Sequence, residues 1–207
     1  MKKLLIAFAF LLVAGGAAWA ANTRHDLSKY LLNYFQWSLS GKGADHEGNV
    51  VFMPIPAGEG PDADGIFHGA ASVTLKKNES FYLPMFVFWG ETYNNGTAAD
   101  IPSMIPASAF LDADVHLTLD GAPVIDSDDE DLDPYFTDTT WFKHPVVYPE
   151  PTDYHSDSAI WIKALSMLHE PLSKGEHTLE LTITSDWLTD TYGFSGWSNT
   201  WNITVKK

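Results

Sequence analysis

The stretch from Ser80 to Glu91, SFYLPMFVFWGE, constrains the fold more than any other part of the sequence. A strand with one wet face alternates apolar and polar residues, whereas this stretch is apolar on both faces. It is therefore expected to be covered on both sides. Proline cannot donate to a neighbouring strand and marks an edge, a break or a bulge. We predict a short strand to Leu83, a bulge at Pro84 and a buried strand from Met85 to Trp89.

A helical pattern precedes this strand and supplies a cover for one of its faces. Between Asp26 and Ser40, apolar residues recur at the i, i+3, i+4, i+7 and i+8 spacing of one helix face: Leu27, Tyr30, Leu31, Tyr34 and Phe35. Asp26 is the predicted N-cap and Gly41 the predicted stop. We expect this helix to pack on the 80–91 strand, with Trp37 near the edge of the contact.

The rest of the chain shows short alternating strands separated by turns. They are predicted at Val50–Met53, Ser72–Lys76, Val115–Leu119, Pro123–Ile125, Ile160–Leu165, His177–Ile183 and Thr200–Val205. Because the turn at 77–79 leads directly into the 80–91 strand, we predict an antiparallel hairpin there. About eight strands and one helix predict a mainly β fold, an antiparallel β-sandwich with one N-terminal amphipathic helix packed on it.

Residues 1–20 are predicted to be a secretory signal peptide. Lys2 and Lys3 precede an apolar run, and Ala18-Trp19-Ala20 forms a small-x-small cleavage site. Residues 21–207 are then one exported domain, periplasmic or extracellular, with no later stretch suited to spanning a membrane. The sequence contains no cysteine, so the domain must be stable through its core alone.

The charge balance excludes one class of partner. The sequence carries 27 acidic residues against 12 Lys and Arg, a net charge of −15. Nucleic acid is therefore not an expected partner, because binding to phosphates requires a basic face. The acidity suits solubility outside the cell and favours divalent cations.

The segment from Asp126 to Ser158 is predicted to be a long acidic loop, partly ordered over the end of the sheet. It contains ten Asp and Glu residues and a single lysine, and loops of this length in compact domains are usually functional or mobile. Its acidic start suggests a calcium site, since calcium takes six to eight oxygen ligands. The candidate ligands are Asp126, Asp128, Asp129, Glu130, Asp131 and Asp133. The alternative is a solvated run of charge.

The tryptophans suggest a second candidate site. Four of the eight, Trp89, Trp141, Trp187 and Trp197, lie in or beside predicted loops. Tryptophan combines an apolar face with a polar edge, which suits stacking on sugar rings. These four are therefore the candidate ligand-binding residues for an extracellular glycan. The alternative is that their rings close the ends of the sandwich core.

Several motifs occur in an order that resembles a known family. They are the helix YFQWSLS, the hairpin-like SVTLKKNESFYLPMFV, the turn LTLDGAPVI and the closing PLSKGEHTLEL. In this order they resemble a family of exported bacterial β-sandwich proteins of unknown function, over most of the chain. The resemblance implies fold and export, and it transfers no chemistry. The chain departs from the family in lacking cysteines and in its acidic run.

Three function classes are compatible with the motifs of the sequence. The sequence has no G-x-S-x-G, H-E-x-x-H, phosphate loop, dinucleotide fingerprint or thiol. We therefore predict a secreted non-catalytic binding or structural domain, in its most specific form glycan-binding and calcium-assisted. One alternative is an envelope or matrix assembly subunit that binds partners through the doubly apolar strand and its edges. The other is a carbohydrate-active hydrolase or lyase that pairs Glu91 with Asp126 or Asp157. His177 is interpreted as structural.

Overall fold

The computed structural model describes residues 24–41 and 44–207, and the signal peptide predicted at 1–20 lies outside them. Two β-sheets and an N-terminal helix form the mainly β, sandwich-like arrangement that the sequence predicts. The helices are α1 (Arg24–Ser40), α2 (Ser108–Leu111) and α3 (Asp186–Tyr192). The strands are β1 (His46–Glu47), β2 (Val50–Phe52), β3 (Ala57–Glu59), β4 (Ile66–Lys76), β5 (Ser80–Tyr93), β6 (Asp114–Leu119), β7 (Ala122–Asp126), β8 (Phe136–Val147), β9 (Ser156–His169), β10 (Gly175–Thr184) and β11 (Gly196–Lys206).

The two sheets face each other across one hydrophobic core. The five-stranded sheet has the order β1-β2-β5-β9-β8, and the six-stranded sheet has the order β3-β4-β11-β10-β6-β7. Most neighbours are antiparallel, as predicted, but β2 runs parallel to β5 and β4 runs parallel to β11. The core between the sheets includes Phe81, Leu83 and Phe86 from one sheet and Leu179 and Leu181 from the other.

The bulge predicted at Pro84 is confirmed, and it explains how β5 serves two cores. The register of β5 against β9 shifts between Pro84 and Phe86. Met85 and Phe86 consequently both belong to the core between the sheets. Beyond the bulge the alternation is reversed, so that Phe88 packs on this core while Val87 and Trp89 pack on a second core beneath α1.

The predicted packing of the helix on β5 is also confirmed. Leu27, Leu31 and Tyr34 of α1 are at most 1% exposed and share a core with Tyr82. The ring centroids of Phe35 and Trp89 lie 5.5 Å apart. Trp37 is partly buried at the border of this core, as expected. The helix already includes Arg24, the first described residue, so Asp26 is not its N-cap as predicted.

The stop of α1 at Gly41 is confirmed. Gly41 has a φ of +62°, and its N–H donates to the carbonyl of Trp37 at 3.0 Å. A residue without Cβ adopts this left-handed conformation at no steric cost, which is why glycine ends many helices.

The hairpin predicted between residues 72–76 and 80–91 is wrong. β4 and β5 belong to different sheets, and the turn at 77–79 crosses between them. β4 instead pairs in parallel with β11 along its whole length, and the N–H of Lys77 donates to the carbonyl of Lys206 at 3.0 Å. β5 requires a place beneath α1 because it is apolar on both faces. The short turn signal is the same for a hairpin and for a crossing between sheets.

The long loop predicted at 126–158 contains a strand that sequence reasoning missed. β8 forms the edge of the five-stranded sheet beside β9, with Phe136 and Val146 buried. Its register shifts twice, between Thr137 and Thr140 and between Trp141 and Val146. These irregularities interrupt the period-2 alternation by which a strand is recognised.

His177 joins the turn between β6 and β7 to β10, in agreement with a structural role. Its Nδ1 lies 2.7 Å from a carboxylate oxygen of Asp120, and its Nε2 lies 2.9 Å from the carbonyl of Ser173. The other oxygen of Asp120 accepts the N–H of Thr178 at 2.9 Å. The hydrogen bond to Asp120 raises the pKa of His177, and the same bond lowers the pKa of Asp120.

Candidate functional site

β5 has an open edge over its second half. β2 pairs only with Ser80 to Tyr82 of β5, and among the described residues no strand follows β2 along that side. The segment that follows β2 stays beside β5 as far as Met53, whose N–H donates to the carbonyl of Tyr82 at 3.0 Å. It then crosses to the other sheet, where the carbonyl of Pro54 accepts the indole N–H of Trp201 at 2.8 Å. The central strand of the five-stranded sheet therefore lacks a neighbouring strand on one side over its second half.

The register indicates which backbone groups face this open edge. Glu91 uses its N–H for a carboxylate oxygen of Asp100 and its carbonyl for the N–H of Asp100, both at 3.0 Å. Asp100 lies on the side away from β9. Because backbone groups of successive strand residues point to alternate sides, those of Val87 and Trp89 point the same way as those of Glu91. Pro84 lies where the missing N–H removes no ladder bond.

An apolar cavity of about 160 Å³ lies against this edge. It is lined by α1, by the crossing chain, by β5 and by the facing strands β10 and β11. The lining residues are Tyr34, Phe35, Leu39, Met53, Pro54, Ile55, Pro56, Leu83, Pro84, Met85, Val87, Trp89, Leu181, Trp197, Asn199 and Trp201. We call this cavity together with the open edge of β5 from Pro84 to Trp89 the edge groove.

A wider cavity of about 430 Å³ adjoins the edge groove, since both are lined by Val87, Trp89 and Trp197. We call it the aromatic cavity. Its other lining residues are Phe88, Glu91, Asp100, Tyr192 and Phe194. Together the two cavities form a continuous concave surface with exposed apolar side chains at its ends, where Ile55 is 69% and Tyr192 53% exposed.

The two carboxylates of the aromatic cavity are held by fixed donors. Glu91 accepts hydrogen bonds from the indole N–H of Trp89 at 3.1 Å, from the hydroxyl of Ser156 at 2.6 Å and from the hydroxyl of Tyr148. Asp100 accepts the hydroxyl of Tyr93 at 3.0 Å. Such bonds fix the position of both carboxylates at one end of the open edge.

Burial and, to a smaller extent, the neighbouring carboxylates raise the pKa of three tyrosines around this cavity. Burial, followed by the hydrogen bond to Asp100, raises the pKa of Tyr93 to about 12. Burial and then the bond to Glu91 raise the pKa of Tyr148 as well. Burial and the charge of Asp100 raise the pKa of Tyr192. Burial and the neighbouring carboxylates therefore both favour the protonated form of these three hydroxyls.

Three of the four candidate tryptophans lie at this surface. Trp89 and Trp197 line both the edge groove and the aromatic cavity. Trp187 lines a cavity next to them together with Trp89 and Tyr192. Trp141 lies apart on the edge strand β8, where it is 56% exposed. The proposed set therefore forms no single coplanar platform of four rings.

The structure brings together only part of the predicted acidic metal set. Ligand atoms of Asp126 and Asp128 lie within 4.8 Å of one another and of a nitrogen of His116. His116 Nδ1 lies 3.1 Å from Asp126, and its Nε2 lies 2.9 Å from Asp114. Asp129, Asp131 and Asp133 lie outside this group, and Asp131 accepts the N–H of Asp133 in a local turn. Calcium binding stays a prediction.

The acidic motif Asp62-Ala-Asp64 forms a local turn. One carboxylate oxygen of Asp62 accepts the N–H groups of Asp64 and Ile66, and the other lies 2.8 Å from Nε2 of His68.

The carboxylates considered for a hydrolase have different hydrogen-bond partners. Asp157 accepts the hydroxyl of Thr92 at 2.5 Å, whereas Glu91 bonds Trp89, Tyr148 and Ser156. Asp126 belongs to the other sheet, beside His116.

Sequence reasoning missed Asp100, Tyr192 and Ile55 at the groove and His116 in the acidic group. The spacing Trp89-x-Glu91 carried a signal, because residues two apart on a strand share a face. Asp100, Ile55 and Tyr192 lie in loops or at an element end, where no periodicity relates them to β5.

Comparisons with known proteins identify no relative. No protein-family model and no curated protein matches the chain. The solution structure of amebosin is 12% identical, covers 67% of this chain and 96% of its own, and has a TM-score of 0.23. PbICP-C, solved in complex with falcipain-2, is 6% identical, covers 77% of this chain and 100% of its own, and has a TM-score of 0.26. Similarity at this level supports no inference about the present chain. None of the described helices has the length and apolar character needed to cross a membrane.

Proposed function

We propose that this chain is a non-catalytic binding domain that accepts an extended segment of a partner protein in the edge groove. The observation that carries the proposal is the unpaired stretch of β5 beside an apolar cavity. The proposal develops the assembly-subunit interpretation, in which the doubly apolar strand and its edge bind partners.

Strand addition is a known mode of peptide recognition. An extended peptide adds to an exposed sheet edge, its backbone provides affinity, and pockets for alternate side chains provide specificity. Val87 and Trp89 offer two N–H and two carbonyl groups, and each intramolecular bond of this kind contributes about 1 kcal/mol net. Burial of apolar side chains adds about 25 cal/mol per Å². A peptide that fills the groove therefore combines both sources of affinity.

Export to the periplasm or the cell exterior belongs to the same proposal. It depends on cleavage before Ala21, a position outside the described residues. N-terminal sequencing of the protein recovered outside the cytoplasm tests it, and a retained leader contradicts it.

A second candidate function is glycan binding in the aromatic cavity. Trp89, Trp197 and Tyr192 line this cavity together with the carboxylates of Glu91 and Asp100. Aromatic faces beside hydrogen-bond acceptors suit sugar rings. This candidate uses the aromatic cavity alone, whereas strand addition requires the edge groove.

The test is selection of random linear peptides on the immobilised protein, followed by affinity measurements with two matched variants. Ile55→Glu places a charge in the edge groove at a side chain that is 69% exposed. Val147→Glu makes the same change on β8 at a side chain that is 63% exposed. Neither substitution removes a buried group, so both variants should fold.

The proposal predicts selected peptides whose affinity falls at least tenfold with Ile55→Glu and stays unchanged with Val147→Glu. Peptides that are insensitive to Ile55→Glu, or a selection that yields none, contradict it. A panel of soluble oligosaccharides tests the second candidate, for which Tyr192→Ala should lower the affinity and Ile55→Glu should not.

A further inference from the structure

The walls of the edge groove specify the chemistry of the segment that fits it. A strand placed beside β5 would continue the five-stranded sheet and lie between two apolar walls. One wall is α1, which contributes Tyr34, Phe35 and Leu39, and the other is the facing sheet, which contributes Leu181, Trp197 and Trp201. Because strand residues alternate between faces, neighbouring residues of the added strand enter the two walls in turn. The segment must therefore be apolar on both faces over the length of the groove.

The size of the cavity limits the side chains that enter it. The cavity measures about 160 Å³, and apolar cavities of about 150 Å³ accept a benzene-sized group. Valine, leucine or phenylalanine fits these dimensions. A charged side chain placed there would lose its hydration without a partner.

The charge at the end of the open edge favours a cationic flank. The carboxylates of Glu91 and Asp100 line the aromatic cavity at this end. No lysine or arginine occurs among the residues that line the edge groove, the aromatic cavity or the cavity shared by Trp187 and Tyr192. The whole sequence carries a net charge of −15, so long-range electrostatics also favour a cationic segment over an anionic one.

We propose that the natural occupant is an extended segment of a partner protein that is apolar on both faces and flanked by lysine or arginine next to Glu91 and Asp100. This inference rests on the proposed function of the edge groove. The same charge disfavours a second copy of this chain as the occupant, because two molecules of charge −15 repel each other.

Two synthetic peptides test the charge preference. Both contain the stretch Val-Phe-Val-Leu-Val, flanked at each end by two lysines in one peptide and by two glutamates in the other. Binding to the purified protein is measured by fluorescence anisotropy at low ionic strength. Exposed ion pairs contribute about 0.2 to 1 kcal/mol each, so two favourable pairs predict an affinity about fivefold higher for the lysine peptide.

Variants connect this preference to the two carboxylates. Glu91→Gln and Asp100→Asn should each reduce the ratio of the two affinities, and added salt should reduce it as well. Asp128→Asn removes an equal charge from the β7 edge of the other sheet and should leave the ratio unchanged. A melt of each variant shows whether it is folded, and Glu91→Gln and Asp100→Asn serve as alternatives if one of them unfolds.

The outcomes separate this inference from the proposed function. Equal affinities of the two peptides, both lowered by Ile55→Glu, overturn the charge preference and leave strand addition standing. Peptide binding that Ile55→Glu does not change overturns the use of the edge groove and the inference with it. A dimer of the protein that Ile55→Glu dissociates also overturns the inference, since the occupant would then be a second copy.

Discussion

Replacing Gly90 by alanine tests whether Trp161 packs on Gly90 and positions Asp100 at the end of the groove. A Cβ at this position would lie 2.1 Å from Cε2 and Nε1 of Trp161, far inside van der Waals contact. Trp161 is 1% exposed, and its indole N–H donates to the carbonyl of Asp100 at 3.0 Å. The ring must therefore move. This movement disrupts the hydrogen bond from the indole N–H of Trp161 to the carbonyl of Asp100, which positions Asp100.

The expected cost follows from two effects. Overpacking of a core costs about 1 to 3 kcal/mol, and a buried polar group left without its partner costs about 1 to 3 kcal/mol more. The free energy of unfolding should fall by roughly 2 to 6 kcal/mol. At about 2 to 4 °C per kcal/mol for a domain of this size, the melting midpoint should fall by roughly 4 to 24 °C.

The assay is denaturant unfolding followed by tryptophan fluorescence, with Gly60→Ala as the matched control. A Cβ at Gly60 meets no atom within 4 Å, so this control should stay within about 0.5 kcal/mol of the unchanged protein. If Gly90→Ala is as stable as Gly60→Ala, Trp161 does not lie over Gly90 and the described end of the groove is wrong.

Three further predictions concern the rest of the domain. Lys163 is 6% exposed and donates to the carbonyl of Ile105 at 2.9 Å. Lys163→Met should therefore lower the free energy of unfolding by about 1 to 3 kcal/mol, whereas Lys174→Met on the surface should leave it almost unchanged. The hydrogen bond to Asp120 raises the pKa of His177 in the folded state. The stability that the protonated His177 adds relative to His177→Asn should be complete below about pH 6.5 and should disappear as the pH rises through the raised pKa. Urea titrations of both proteins across this pH range measure the difference. If the acidic group binds calcium, calcium at 100 times its Kd should stabilise the protein by about 2.7 kcal/mol and raise the melting midpoint. The double variant Asp126→Asn/Asp128→Asn should lose this rise. A midpoint that calcium leaves unchanged in the original protein contradicts calcium binding.

The fold could be predicted where one residue pattern admitted one arrangement. β5 is apolar on both faces, and this property alone required the two covers that α1 and the facing sheet provide. Pro84 within that run indicated an edge, a break or a bulge, since proline cannot donate to a neighbouring strand. Gly41 identified the end of α1, because glycine adopts the left-handed conformation that ends many helices.

The fold could not be predicted where several arrangements share one pattern. The turn at 77–79 is equally suited to a hairpin and to a crossing between sheets, and the choice depends on β11, which lies more than a hundred residues later in the chain. β8 was missed because its two register shifts interrupt the alternation. Pairing between distant strands is decided by the whole core and leaves no local signal.

The candidate site was partly predictable for the same reasons. Trp89 and Trp197 were selected as binding residues because of their chemistry, and they line one surface. The open edge itself could not be foreseen, because it results from β2 ending its pairing at Tyr82. The acidic run suggested a metal site from composition alone, whereas the structure groups only Asp126 and Asp128 with His116.

The most direct test of strand addition is amide hydrogen exchange of β5, with and without a saturating peptide obtained by the selection described above. We expect the amides of Val87 and Trp89 to exchange rapidly in the free protein and to become protected in the complex. The amides of Phe86 and Phe88, which face β9, should be protected in both states and serve as internal references. Protection of Val87 and Trp89 in the free protein, or unchanged exchange in the complex, would contradict strand addition at the open edge of β5.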